Sequence, residues 1–159
     1  MRYFQKVDGL GILECQEKWE DIRPLLHKNW KQYETCPDSL IRLMAECWYV
    51  LTLWDCCICK EKLSYEAFQT TLLETVTFGV KHFKNYQKFL CMAGYMISVR
   101  PDLFCTKHSD TSYSDWKTMG IDMLQSANRI DPYDAVANIL YLGTTSIQAN
   151  RSVYQKALE

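Results

Sequence analysis

The chain has 159 residues, of which 48% are hydrophobic and 23% charged, an ordinary globular composition at a length that can bury a full core. Its 18 Lys and Arg residues nearly balance its 19 Asp and Glu residues, and a formal net charge of −1 excludes the strongly basic footprint of a nucleic-acid binder or a membrane-surface protein. With 6 Gly and 4 Pro residues, the chain also lacks the many tight turns that an all-β sandwich or barrel needs.

We predict a single helical domain over residues 1–159. Residues 1–13 show no clean period, and Gly9 and Gly11 indicate a loosely structured arm. Charged residues from Arg2 onward interrupt the N-terminal segment before an apolar run forms, so the sequence predicts no signal peptide and a cytoplasmic location.

Eight cysteines occur in the chain, and in a protein without a secretion signal we expect free thiols. Cys56 and Cys59 have the Cys-x-x-Cys spacing, but the second pair or the His-x₃₋₅-His that a zinc site needs is missing. We therefore predict no metal and no cofactor, with the thiols packed as small hydrophobic side chains, above all Cys47, Cys56, Cys57 and Cys59.

The first strong helical pattern covers residues 14–34, where Pro24 predicts a kink or the start of a second helix. Asp38 or Ser39 is then the expected N-cap of a helix from about Leu40 to Cys59. This segment is apolar on nearly all sides, which predicts a central and largely buried helix. Its one narrow polar stripe consists of Arg42, Glu46, Tyr49 and Lys60.

Asp55 lies nearly opposite that polar stripe. A carboxylate on an apolar face needs a hydrogen-bonding partner. Three explanations stay open: a satisfied core carboxylate, a helix that ends before residue 55, or contact with a partner protein.

Two more helices are predicted in the middle of the chain. Ser64 caps the first of them, whose apolar stripe consists of Phe68, Leu72, Val76, Val80 and Phe83. The second runs from Tyr86 to Val99 and ends at Arg100-Pro101. Gly94, beside Ala93, would let a neighbouring helix approach closely.

The longest polar run of the chain predicts a loop over residues 102–114, and Ser112 with Asp115 forms a capping box for the helix that follows. Asp131 and Pro132 provide the N-cap and first position of another helix, which ends at Gly143 and buries Val136, Ile139 and Leu140. A last helix carries Ile147, Val153, Tyr154 and Ala157. Six to eight helices and no convincing strand predict an all-α fold of stacked antiparallel helical hairpins.

Two resemblances follow from particular residues. The junction Ala127-Asn128-Arg129-Ile130-Asp131-Pro132 resembles a helix junction of tetratricopeptide arrays, although no 34-residue period recurs. The second resemblance rests on Tyr86-Gln87-Lys88-Phe89-Leu90, Gly94-Tyr95-Met96-Ile97-Ser98, Arg100-Pro101-x-Leu103-Phe104 and Trp116-x₃-Gly120-x₂-Met123-Leu124-x₂-Ala127-x₂-Ile130-Asp131-Pro132. With these residues, the segment 86–143 resembles small cytosolic immunity proteins of bacterial contact-dependent growth inhibition systems.

This second resemblance implies a protein that binds and neutralises a cognate toxin domain, with a nuclease as one candidate, by stoichiometric protein–protein contact. It implies no catalytic residue, and neither nucleic acid nor membrane as a direct partner. Two alternatives stay open: a helical scaffold that binds a peptide along a groove, and an enzyme with a Cys/His pair that meets only in space. Against an enzyme, His27, His82 and His108 are far apart, and the chain has no phosphate-binding loop or nucleophile elbow.

The candidate partner-binding residues are acidic or aromatic, because a nuclease cleft is basic and acidic side chains complement it. In and beside the polar loop they are Asp110, Tyr113 and Asp115, and in the first helical segment they are Glu14, Glu17, Glu20 and Asp21. Tyr113 is preferred to Trp116, which matches the apolar stripe of its own helix. For each acidic residue, the alternative is a role as a helix cap or a solubility residue.

Overall fold

A computed structural model describes residues 7–56, 60–107 and 110–144, and all regular structure in these ranges is helical. The predicted all-α class is thereby confirmed. The chain forms two compact units, Met1–Lys84 and Asn85–Glu159. The single domain over residues 1–159 stays a prediction.

The first unit contains four α-helices and two short 3₁₀ turns. The α-helices are α1 (Leu10–Cys15), α2 (Trp19–Gln32), α3 (Pro37–Thr52) and α4 (Tyr65–His82), and the turns are Trp54–Cys56 and Lys60–Lys62. The first helix includes residues that we expected in a loose arm, since it begins at Leu10; residues 1–6 lie outside the described ranges.

Ring contacts fix the directions of these helices. Trp19 at the start of α2 lies 5.6 Å from Tyr49 near the end of α3, measured between ring centroids. Trp54, just after α3, lies 5.1 Å from Tyr65 at the start of α4. The start of α2 thus lies near the end of α3, so these two helices are antiparallel. Contacts between α2 and α4 advance together along both helices, from Arg23–Thr71 to Trp30–Phe78, so α2 and α4 run parallel to each other.

Helix α3 supplies most of the core of this unit, as its apolar composition predicts. Its buried residues are Ser39, Leu40, Ile41, Leu43, Met44, Glu46, Cys47, Val50 and Leu51. Glu46, placed by the sequence on a polar stripe, is only 8% exposed, so that stripe is narrower than predicted. Burial raises the pKa of Glu46 above its usual value, and the attraction of Arg42 offsets only part of this effect.

Both predicted ends of α3 were wrong. The helix begins at Pro37 because Cys36 is extended and a proline at the first helical position needs no hydrogen-bond acceptor. Ser39 instead donates from its Oγ to the Cys36 carbonyl at 2.8 Å. The helix ends at Thr52, which places Asp55 in an exposed 3₁₀ turn, so an early end is the explanation of this carboxylate that holds.

The segment 14–34 does not form one helix from end to end. Pro24 lies inside helix α2, so the alternative that it begins a helix was wrong, and the alternative of a kink stays a prediction. The break in the 14–34 pattern falls at residues 16–18, where Glu17 has a left-handed φ of 52°. Ser64 is confirmed as the N-cap of α4, since its Oγ accepts from the Ala67 N–H at 3.2 Å.

The cysteine thiols of the described residues differ in burial. The structure shows free cysteines at positions 15, 36, 47, 56, 91 and 105, while Cys57 and Cys59 lie outside the described residues. Burial raises the pKa of Cys47 to about 12, which suits a thiol that packs as a hydrophobic side chain. Cys56 is exposed, so the predicted packing role was wrong for this residue, because α3 ends before it.

The second unit contains α5 (Gln87–Val99), a 3₁₀ turn at Pro101–Phe104 and α6 (Tyr113–Ile130), followed by a helix over residues 135–144 that we call α7. Helices α5 and α6 touch through their backbones at Gly94 and Gly120. A Cβ atom on Gly94 would lie 2.8 Å from the Gly120 carbonyl oxygen, and one on Gly120 would lie 2.6 Å from the Ser98 nitrogen. The predicted close approach at Gly94 is confirmed.

The start and the buried face of α7 differ from the prediction. Its N-cap is Asp134, whose Oδ1 accepts from the Ala137 N–H at 2.8 Å, whereas Asp131 accepts from the Tyr133 N–H within the preceding turn. The helix buries the small side chain of Ala137, while Val136 and Ile139 are exposed. The expected burial of those two residues was therefore wrong. The predicted last helix lies outside the described residues.

We predict that Gly94→Ala lowers the free energy of unfolding by about 1–3 kcal/mol, because the added methyl group meets backbone atoms that cannot move aside cheaply. The matched control is Gly11→Ala in α1, where nothing lies within 4 Å of the added Cβ. A helical Gly→Ala change at an open position stabilises by roughly 0.5–1 kcal/mol. Urea denaturation of both variants measures the difference, and equal stabilities would contradict the close packing.

Candidate functional site

The first turn of α6 is held by a complete capping box. Ser112 Oγ accepts from the Asp115 N–H at 3.1 Å, and Asp115 Oδ2 accepts from the Ser112 N–H at 3.1 Å and from the Ser112 hydroxyl at 2.7 Å. These hydrogen bonds hold the pKa of Asp115 below its ordinary value. The bond from the Ser112 side chain has the largest effect, followed by the bond from the Ser112 backbone. The predicted capping box is confirmed, and Asp115 acts in it as a structural residue.

Tyr113 occupies the first position of α6 and leaves 52% of its surface exposed. Trp116, one turn later, is buried and lies 5.5 Å from Phe104 between ring centroids. Trp116 therefore belongs to the core, and Tyr113 is available to a partner. We name Asp110, Tyr113 and Asp115, all exposed, the α6 N-terminal surface; His108 and Ser109 beside it lie outside the described residues.

The four acidic residues of the first unit do not form one uniform patch. Glu14 is paired with Arg42, and one carboxylate oxygen of Glu20 is buried without a hydrogen-bond partner among the described residues. Glu17 and Asp21 are exposed. Of the four predicted residues, these two form the accessible negative charge of what we call the acidic corner.

A groove between α2 and α4 is a feature that local sequence patterns did not predict. It has a volume of about 600 Å³, and its lining residues include Arg23, His27, Lys28, Thr70 and Glu74. Arg23 Nη1 donates to Thr71 Oγ1 at 3.3 Å, across 48 positions of the sequence. Only the parallel pairing of α2 with α4 brings these residues together, so no short motif could have indicated the groove.

Glu74 joins the two helices electrostatically. Its carboxylate oxygens lie 3.1 Å from His27 Nε2 and 3.1 Å from Lys31 Nζ. Burial alone would raise the pKa of Glu74, but the hydrogen bonds of Lys31 and His27 outweigh this effect and hold the pKa below its usual value. Ionised Glu74 thus stabilises the packing of α2 against α4.

Within residues 7–56, 60–107 and 110–144, no group of three or more His, Cys, Asp or Glu side chains is placed to hold a metal ion. His82 stacks on Phe78 with ring centroids 4.2 Å apart. No helix in the same part of the chain combines the length and the apolar character that crossing a bilayer requires.

Comparison of the chain with protein-family models, with curated proteins and with solved structures found no match.

We predict that Glu74→Gln lowers the stability of the protein, and that the difference in stability from the wild type becomes smaller as pH falls. A carboxyl whose folded pKa is depressed contributes stability that is complete above its unfolded pKa and is lost as pH falls through the lower folded value. The melting temperature of the variant should lie clearly below the wild type at about pH 5.5 and approach it near pH 3. Glu66→Gln, which removes an exposed carboxylate on the same helix, is the control. A gap that stays constant with pH would contradict the role of Glu74.

Proposed function

We propose that this chain is a cytoplasmic immunity protein that binds and neutralises the toxin domain of a contact-dependent growth inhibition system. The observation that carries the proposal is the α6 N-terminal surface, where an exposed Tyr113 lies at the start of a capped helix, within three residues of the exposed Asp110 and Asp115. The resemblance of residues 86–143 to such immunity proteins agrees with it.

Tyr113 suits this role because a tyrosine ring buries a large area at a small cost in conformational entropy. The helical backbone and the capping box hold its Cα in place before the partner arrives, which lowers the ordering cost of association. Asp110 and Asp115 add negative charge beside the ring. This charge complements a basic cleft, such as the phosphate-binding cleft of a nuclease toxin.

The acidic corner of the first unit is the second candidate contact, through Glu17 and Asp21. Exposed charges at the rim of an interface act mainly on the association rate and its dependence on salt. We therefore assign affinity to the α6 N-terminal surface and faster encounter to the acidic corner. The mechanism requires no cofactor, metal or catalytic residue, and its partner is the toxin domain.

The groove between α2 and α4 favours a second candidate function, a helical scaffold that binds a peptide. A volume of about 600 Å³ lies in the usual range of ligand sites. The two functions differ in the surface used: the first unit supplies the groove, and the second unit supplies Tyr113.

Asp110→Ala/Tyr113→Ala should weaken binding to the toxin domain encoded directly upstream of the gene by roughly ten- to a hundredfold, as expected for an aromatic anchor. Asp115 is left intact, since its removal would disrupt the helix cap and confound the measurement. Isothermal titration calorimetry gives affinity and stoichiometry, and growth of toxin-producing cells gives protection.

Asp122→Ala/Tyr133→Ala is the matched control, because it removes an exposed acid and an exposed tyrosine elsewhere in the same unit. It should bind as tightly as the wild type. Failure of the wild-type chain to bind or protect against that toxin overturns the immunity function. If binding is lost only in the control variant, the function stands and the α6 N-terminal surface is excluded.

A further inference from the structure

The groove between α2 and α4 has a distribution of charge that points to a particular ligand. Arg23 is fixed in position by the Thr71 hydroxyl and by the Phe68 ring, whose centroid lies 5.6 Å from the guanidinium carbon. A guanidinium carries five N–H donors, and the described contacts of Arg23 use one of them. Lys28, also in the lining, is exposed and has no acidic partner among the described side chains.

The two carboxylates of the groove, Glu74 and Glu66, differ in whether a positive charge compensates them. Glu74 is compensated by Lys31 and His27, so its charge is largely neutralised at that end. Glu66 lies in the first turn of α4 and forms no ion pair within the described part of the chain. A dianion such as phosphate would meet Arg23 and Lys28 but would also be repelled by Glu66. A singly charged carboxylate on a molecule that also carries N–H donors satisfies both kinds of group.

Hydroxyl groups supply the remaining polar lining. Ser64 and Thr70 are exposed at the groove, and a hydroxyl both donates and accepts. A peptide backbone alternates N–H donors and carbonyl acceptors, which matches this mixture of carboxylate and hydroxyl partners. The lining residues come from both α2 and α4, so a bound peptide chain can contact both helices.

We propose that this groove binds an acidic peptide segment of another protein. A side-chain carboxylate of the peptide binds Arg23, Lys28 adds positive charge, and backbone N–H groups of the peptide donate to Glu66 and Thr70. The inference uses only residues of the first unit. It is independent of the proposed toxin contact through Tyr113 and can hold or fail without it.

The experiment measures fluorescence anisotropy of the full chain with a labelled octapeptide of Ala and Ser residues around a single Glu, with an amidated C-terminus. The probe with Gln in place of Glu tests the side-chain carboxylate. A Gly-Ser peptide with a free C-terminus tests a terminal carboxylate instead. We expect saturable binding of the Glu probe and at least tenfold weaker binding of the other two.

Variants then assign the binding to the groove. Arg23→Gln should weaken binding of the Glu probe about tenfold or more, as the loss of a charged hydrogen-bonding group predicts. Lys28→Gln changes an exposed side chain, so folding is preserved, and should weaken binding about two- to fivefold. Lys81→Gln/Lys84→Gln removes two exposed positive charges outside the groove and should leave the affinity unchanged.

Four results would overturn the proposal: no saturable binding of the Glu probe, equal binding of the Gln probe, preferred binding of the free-C-terminus probe, or equal losses in the groove and control variants. Displacement of the Glu probe by inorganic phosphate at equal concentration would identify a general anion site and also overturn it. Because no toxin is present in this assay, its failure leaves the immunity function untouched.

Discussion

The candidate partner surface depends on the close approach of α5 and α6 at Gly94 and Gly120. Side chains at these two positions would collide with the backbone of the facing helix, so only glycine permits this separation. The approach holds α6 against its neighbours, and Trp116 is buried against Phe104. Tyr113 lies one turn before Trp116 on the same helix. Burial of the tryptophan therefore fixes the position of the first turn of α6, which carries the exposed tyrosine. Packing inside the second unit thus determines what its surface presents.

A different constraint organises the first unit. Helix α3 is apolar around most of its circumference, so burying it requires a helix on each side. Helices α2 and α4 meet this requirement, and the two connections, residues 33–36 and 53–64, reverse the chain twice and make them parallel. Parallel helices against a common neighbour leave a groove between them, which Arg23, His27 and Glu74 line. The polar groove is therefore a consequence of covering an apolar helix.

Local signals in the sequence predicted the features that depend on local chemistry. Ser64 and the Ser112–Asp115 pair were recognised because a cap needs a hydroxyl or carboxylate within three residues of its backbone partner. Errors arose where two local solutions compete. Residues 131–134 hold two aspartates, either of which can cap a helix, and the helix uses Asp134. Val136 and Ile139 are exposed because tertiary packing buries the face that carries Ala137, which the local pattern does not specify. Local sequence patterns could not predict the groove, because its contacts join residues that are 47 or 48 positions apart in the sequence.

The central claim is that a toxin domain binds the α6 N-terminal surface, and hydrogen–deuterium exchange of the chain with and without that domain tests it most directly. The account predicts slower exchange on binding in the peptides that cover residues 110–118, with a smaller effect at the acidic corner around Glu17 and Asp21. Peptides over the exposed stripe of α7, which includes Val136 and Ile139, should exchange as in the free protein. Slower exchange confined to α7, or to the groove between α2 and α4, would contradict the claim.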